Sequence, residues 1–267
     1  MKWKYLFIPL MILSMASCSE YQKLVGSTDT DLKWAKAQEY YEQKKYSKTI
    51  ELLEGMVAMH KGTERGEKTL YLLASSYFNK RDYYTAFTDF ETCYKTYPKG
   101  VYAEDCRFYA GKSAFMNSPD PKLSQDETYK AIDLLNVFLD YFPESTYKSE
   151  VDQMLVKLRD KLVYKQVLNC RLYFNMGNFM GNNYLSCIVT ANNALLDFPV
   201  SKYREELSFL ILKSRYTLAL HSVDALKLDR YRATIDEYYT FMNEYPESTY
   251  KNEAAYYLRE SKKIIKD

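Results

Sequence analysis

From residue 30 onward, apolar residues recur three and four positions apart, the spacing that places side chains on one face of an α-helix, and these runs come in pairs separated by polar turns. The clearest pair spans residues 67–100. Leu70, Leu73, Ala74 and Tyr77 share one face of a first helix, Ala86, Phe90 and Cys93 share one face of a second, and Pro98 ends it. Small residues at 74 and 86 fit the closest approach of two paired helices, where a larger side chain would force them apart.

Weaker copies flank this pair. Residues 30–61 carry Ala37, Tyr40, Tyr46, Thr49, Leu53 and Met56 in the same register. Residues 104–143 carry Tyr109, Ala110, Gly111 and Ala114, then Ala131, Leu135 and Phe138, with a polar insertion from Asn117 to Glu127 between them. Residues 164–199 carry Cys170, Tyr173 and Phe174, then Tyr184, Cys187, Ala191 and Ala194. Residues 207–246 carry Leu210, Ser214 and Tyr216, then Tyr231, Ile235, Tyr238 and Phe241, and a last helix is expected over residues 251–265. The unit of about 34 residues, with A-x3-F and a closing Pro, resembles the tetratricopeptide signature. The expected fold is all-α: an α-α superhelix of about five tetratricopeptide-like pairs with a C-terminal capping helix, forming one solenoid over residues 30–267.

One phrase punctuates the repeats: aromatic-Pro-x-small-x-Tyr. It occurs as Tyr97–Tyr102, Phe142–Tyr147, Phe198–Tyr203 and Tyr245–Tyr250. Proline removes a backbone donor and disfavours helix in the residue before it, and the following Ser or Gly is expected to cap the next helix. The phrase predicts helix stop, turn and helix start.

The first 17 residues have a different character. Lys2 and Lys4 precede an apolar stretch from Leu6 to Met15, and Met15-Ala16-Ser17-Cys18 closes it. The stretch is about half the ~20 residues of a spanning helix, and a charged start, short apolar middle and small residues mark a secretory signal peptide. A cysteine just after the cut resembles the lipobox of bacterial lipoproteins. Residues 1–17 are therefore expected to be removed, Cys18 to be lipidated, and residues 18–29 to form a flexible tether.

Composition narrows the function. Net charge is +2, with Lys and Glu interspersed, so no nucleic-acid footprint is implied. The chain holds no Gly-rich phosphate loop, HExxH, GxSxG or CxxC motif, and its two histidines, His60 and His221, lie far apart in sequence and far from any cysteine. No enzyme activity, cofactor or metal is expected. Cys93, Cys106, Cys170 and Cys187 read as small buried thiols, with disulfides the alternative in an oxidising compartment.

The remaining chemistry is peptide recognition by a solenoid groove. In tetratricopeptide arrays the first helix of each pair faces inward through positions 2, 5, 9, 12 and 13. This selects Trp34, Gln38, Tyr41 and Glu42 in the first pair, Tyr71, Ser75, Phe78 and Asn79 in the second, and Phe108, Lys112 and Phe115 in the third. The alternative for each position is packing against a neighbouring repeat.

The lipobox, the five pairs, the recurring phrase and one insertion together resemble the BamD family of outer-membrane protein assembly lipoproteins. The insertion is the most specific element: Ser118-Pro119-Asp120-Pro121-Lys122-Leu123-Ser124-Gln125, then Thr128 and Ala131-Ile132. Ser124 stands where Asp is common in that family. The Asn- and Tyr-rich turn over residues 176–184 resembles the family's Bacteroidetes branch. The resemblance implies a protein anchored in the outer membrane by acyl chains on Cys18 and facing the periplasm. It implies binding to the POTRA domains of the central barrel subunit, to other assembly lipoproteins and to the C-terminal β-signal of unfolded outer-membrane proteins. Two rival readings are weaker. A periplasmic scaffold for envelope constriction or peptidoglycan synthesis usually carries a coiled coil before its repeats, and residues 19–32 hold no sustained heptads. A nutrient-binding lipoprotein of the starch-utilisation type is roughly twice as long.

Overall fold

The computed structural model describes residues 20–266, and among them every regular element is a helix. Five helix pairs run in order. They are α1 (Thr30–Glu42) with α2 (Tyr46–Leu53), α3 (Glu64–Asn79) with α4 (Tyr83–Thr96), and α5 (Ala103–Asn117) with α6 (Asp126–Tyr141); then α7 (Lys148–Met176) with α8 (Asn183–Asp197), and α9 (Arg204–Leu220) with α10 (Asp224–Glu244). α11 (Lys251–Lys266) closes the series and packs on α10 and α9. No helix among the described residues is long and apolar enough to cross a membrane.

Local chemistry sets the helix starts. The side chains of Asp29, Thr63, Asp82 and Asn182 accept hydrogen bonds from the backbone N–H groups of Leu32, Gly66, Thr85 and Leu185, each satisfying an otherwise orphaned donor. The turns inside the first two pairs pass through Lys44 and Arg81 with φ of 59° and 66°.

The helices follow one another as the expected consecutive pairs and gather into two compact units. One is the N-terminal part up to Ser118 with Glu127–Val151; the other is Pro119–Asp126 with Asp152–Asp267, so the division falls within α7. In the first unit, Ala74 and Ala86 are fully buried with Phe90 and Cys93 in one core cluster, as their small size at the α3–α4 approach requires. A Cβ on Gly111 would lie 2.8 Å from Leu135 Cδ2, so α5 and α6 also meet at a position without side-chain space. In the second unit, Val167, Cys170, Cys187, Ala191, Leu207 and Ile211 form one cluster, and Phe209, Leu212, Phe241 and Ala254 belong to another. The four cysteines are free and buried. The Cys170 thiol donates to the Cys187 carbonyl oxygen at 3.6 Å, and the neighbouring cysteine, then burial, push the Cys106 and Cys170 thiols up.

The recurring phrase locks each repeat to the one before it. Ser145 Oγ donates to Glu104 Oε1 at 2.6 Å, Ser201 Oγ to Asp160 Oδ1 at 2.8 Å, and Ser248 Oγ to Glu205 Oε1 at 2.6 Å. Four residues after each acid, one helical turn along, an aromatic ring receives the phrase tyrosine. Tyr147 stacks on Phe108 (3.9 Å, 7°), Tyr203 on Tyr164 (5.1 Å, 30°) and Tyr250 on Phe209 (4.1 Å, 7°). Where the phrase has glycine instead of serine, the acid takes the space itself. The Glu67 carboxylate accepts from Val101 N (3.2 Å) and Tyr102 N (2.6 Å), and Tyr102 stacks on Tyr71 (4.4 Å, 17°). A Cβ on Gly100 would lie 2.1 Å from Glu67 Oε1. The serines are thus not the N-caps that the phrase predicts. Tyr102 and Tyr203 hold the caps of α5 and α9 without a side-chain bond. Each serine oxygen instead accepts the N–H two residues on, in Tyr147, Tyr203 and Tyr250, and spends its proton on the preceding repeat.

Two further expectations change. The fourth pair begins at Lys148 rather than near residue 164, because α7 starts directly after the phrase and runs for 29 residues. The flexible tether is also shorter than residues 18–29: residues 20–26 are helical. Tyr21 there is 8% exposed, and its hydroxyl donates to Glu51 Oε2 at 2.6 Å. The signal peptide and Cys18 lie outside the described residues.

One half-buried acid costs stability. Burial first, and then the carboxylates of Glu54 and Asp82, push the Asp89 carboxyl on α4 up to about 6. The folded chain therefore holds this proton more tightly than the unfolded chain. Stability falls as pH rises from about 4 to about 6, and the deficit persists above that. Asp89→Asn is expected to stabilise the fold by about 1–2 kcal/mol at pH 7.5, allowing for the group's partial exposure, and to lose that advantage toward pH 4. Chemical denaturation of both proteins at the two pH values measures this.

Candidate functional site

The selected residues of the first unit lie on α1, α3 and α5, the first helices of their pairs, and the structure joins them into a seam. The Trp34 indole N–H donates to Thr69 Oγ1 at 3.2 Å, with the Arg65 guanidinium 5.0 Å and the Lys68 ammonium 5.5 Å from its ring. Gln38 turns back and donates to Trp34 O at 3.4 Å. Tyr41 packs edge-on against Tyr46 at 5.8 Å, and Ser75, close to both Tyr41 and Tyr71, is 6% exposed. Burial dominates in pushing both phenols up, more strongly for Tyr71, where Asp105 adds to it.

Phe78 continues the seam onto α5 through an edge contact with Tyr109 at 5.3 Å. The Lys112 ammonium lies 5.8 Å from the Phe78 ring, 5.6 Å from Tyr109 and 5.4 Å from Phe108, and pairs with Glu150 at 2.8 Å. Its side chain retains 26% exposure. A half-exposed ion pair is worth about 0–1 kcal/mol, so an incoming carboxylate or carbonyl can replace Glu150 at little cost. The exposed Asn79 donates to Ser75 O at 2.7 Å, Glu42 is exposed, and Phe115 is half-buried.

Two of the selected positions are packing residues. Phe108 is 1% exposed, covered by Tyr147 and edge-on to Tyr109. Ser75 is buried between the two tyrosines' helices at 6% exposure. The surface rings near them belong to residues that helix-position counting does not select. Tyr109 stacks on Phe90 at 5.4 Å, and Tyr147 covers Phe108 while its hydroxyl donates to Asp105 Oδ1 at 2.9 Å. The phrase tyrosine was the available signal for Tyr147: it recurs at a fixed place in every repeat and carries a ring that needs a partner. The arrangement offers an aromatic surface, one cation and amide or hydroxyl hooks. Among the described residues no group of His, Cys, Asp or Glu is placed to hold a metal.

The second unit repeats part of this pattern. Lys213 pairs with Glu253 at 3.0 Å and lies 5.2 Å from Phe174 and 5.9 Å from Phe209. Arg171, Glu206 and Tyr250 complete a cleft of about 340 Å³. Pro119–Asp126 of the polar insertion also belong to this unit. The Gln125 side-chain amide donates to Asp120 O at 2.9 Å and Leu123 O at 3.1 Å, and Lys165 Nζ reaches Leu123 O at 2.8 Å, so the loop is closed on itself and tied to α7.

Comparison with known proteins agrees with this construction. No curated protein matches the chain. Residues 28–182, from the start of α1 through the insertion and past the end of α7, match a family described as outer membrane lipoprotein, a non-catalytic accessory family of the outer-membrane assembly machinery. This chain of paired helices, with its aromatic seam and closed insertion loop, belongs to the YfiO family of outer membrane lipoproteins.

Proposed function

We propose that the chain is acylated at Cys18, faces the periplasm and serves the β-barrel assembly machinery by holding the C-terminal β-signal of unfolded outer-membrane proteins on the seam of α1, α3 and α5. The observation that carries this reading is the run Tyr41, Tyr71, Phe78, Tyr109 across three first helices, ending at the Lys112–Glu150 pair. A β-signal is a short extended segment rich in aromatic residues. Its rings would stack on this run, and its carboxylate or backbone carbonyl would exchange with Glu150 at Lys112. The POTRA domains of the barrel subunit and the other assembly lipoproteins are the expected protein partners, and no covalent chemistry is involved.

A fluorescent β-signal peptide tests the seam. Lys112→Glu and Phe78→Ala are each expected to weaken its binding about tenfold, the loss of ~1.4 kcal/mol typical of a contact residue. Lys213→Glu, which breaks the analogous pair in the second unit, serves as the control and should bind as the parent does. Unchanged affinity in both seam variants, with helicity intact, contradicts the assignment.

A further inference from the structure

The N-terminal anchor and a lysine cluster converge on one end of the first repeat. Tyr21, three residues after Cys18, is fixed on α1 and α2. Its ring meets Tyr40 edge-on at 5.8 Å, its hydroxyl binds Glu51, and the Lys48 ammonium lies 4.3 Å from its ring. Three residues of chain reach at most about 11 Å. An acyl group on Cys18 is therefore attached within about 11 Å of the Tyr21 backbone.

That same end carries a cleft of about 230 Å³ lined by Lys44, Lys45, Tyr46, Ser47, Lys48 and Lys80. Lys44 sits in the left-handed turn between α1 and α2, Lys48 lies on α2, and Lys80 is the C-cap of α3. None of the four lysines forms an ion pair among the described residues. Lys45 donates to the Gln43 side chain, and the carboxylate nearest Tyr21, that of Glu51, is occupied by its hydroxyl. Lys48 lies beside Tyr21, and the Lys45 and Lys48 ammonium groups lie 5.7 Å and 5.3 Å from the Tyr40 ring against which Tyr21 packs, so the cluster is on the side of the repeat where the chain leads toward Cys18. A basic surface beside a lipid anchor adds attraction to anionic headgroups and fixes the orientation of the attached protein.

We propose that the Lys44, Lys45, Lys48 and Lys80 cleft binds the phosphate headgroups of anionic phospholipids in the leaflet that holds the acylated Cys18. This rests on the acylation stated above, and it sets which end of the first repeat lies against the membrane. Tyr46, half-buried at the rim, would sit at headgroup depth, where tyrosine is favoured.

The test uses the chain carrying Cys18→Ser, which cannot be acylated, floated with phosphatidylcholine vesicles with or without phosphatidylglycerol. Binding is expected only with the anionic lipid and should fall with salt. Replacing all four cluster lysines by Glu should lower the partition at least tenfold. The same change at exposed Lys99, Lys122, Lys148 and Lys251 should alter it less than about threefold. Equal losses in the two quadruple variants, or no binding of the Cys18→Ser chain to anionic vesicles, overturns the proposal. β-Signal affinity in the cluster variant and acyl labelling of wild-type Cys18 are read separately, so failure of the lipid site is distinguishable from failure of the functional reading.

Discussion

Phe108→Ala is expected to destabilise the first unit by about 3–5 kcal/mol, the range for truncating a fully buried aromatic side chain. Phe108 is enclosed by Tyr147, Tyr109 and Phe138. Its loss leaves a cavity and also removes the stacking that seats the next repeat's tyrosine, itself worth about 0.5–1.5 kcal/mol. Because each repeat of such an array rests on its neighbours, the effect should spread beyond α5. Amide exchange should quicken in α6 as well as α5. Phe115→Ala, two turns along the same helix and half-buried, should cost less than half as much. A small effect at Phe108 would mean that Tyr147 does not depend on it.

Glu67→Ala is the second large effect, expected at about 2–4 kcal/mol. Glu67 is 6% exposed, and its carboxylate is the acceptor for two backbone donors, Val101 N and Tyr102 N. Hydrogen bonds to a charged group contribute about 1.5–3 kcal/mol, and stranded donors carry a desolvation cost. Glu67→Gln keeps one carbonyl oxygen and should cost roughly half as much. Gly100→Ala attacks the same contact from the other side, because its Cβ would overlap the carboxylate. That side chain is held by two backbone bonds and cannot swing away freely. The double variant Glu67→Ala with Gly100→Ala should therefore be less destabilised than the sum of the two, since the clash disappears with the carboxylate. Denaturant midpoints of the four proteins measure the coupling. Simple additivity would show that the two residues act independently.

Which features were legible in the sequence follows from the distance over which they act. The pairing of helices is local. Ala74 and Ala86, the prolines of the phrase and the polar turns all lie within one repeat, and each alone points to the same helix-turn-helix unit. The lock between repeats is not local. Glu67 meets residues 101 and 102, Glu104 meets Ser145, and Glu205 meets Ser248, so an acid one turn before an aromatic looked like ordinary solvated helix surface. The same blindness affected the seam. Position counting places Tyr71, Phe78 and Lys112 on the facing helices, but it does not register that the next repeat's Tyr147, itself half-buried, covers Phe108. The start of α7 was missed for a different reason. Its first half, from Lys148 to Leu162, buries Val151, Leu155, Leu158 and Leu162 but contains no tetratricopeptide-like small residue to mark it as a first helix. The anchored Tyr21 was hidden in a stretch too short and polar to show periodicity, and its partners Glu51 and Lys48 are supplied by α2.

The second unit carries the Lys213–Glu253 pair over Phe209, as the first carries Lys112–Glu150 over Phe108. In both, a phrase tyrosine stacks on the same ring. The repeat that builds the fold thus also supplies the elements of the proposed recognition surface, and the two units differ in what surrounds them: Tyr109 follows Phe108, whereas Leu210 follows Phe209. The longer aromatic run in the first unit is the basis for placing the β-signal there.

The central claim is membership of a working assembly machine, and a mild-detergent pull-down from outer membranes with a C-terminally tagged chain tests it most directly. Mass spectrometry of the recovered proteins is expected to find a POTRA-bearing barrel protein near one-to-one with the chain. Recovery of envelope-constriction or cell-wall synthesis proteins with no such barrel would contradict the account.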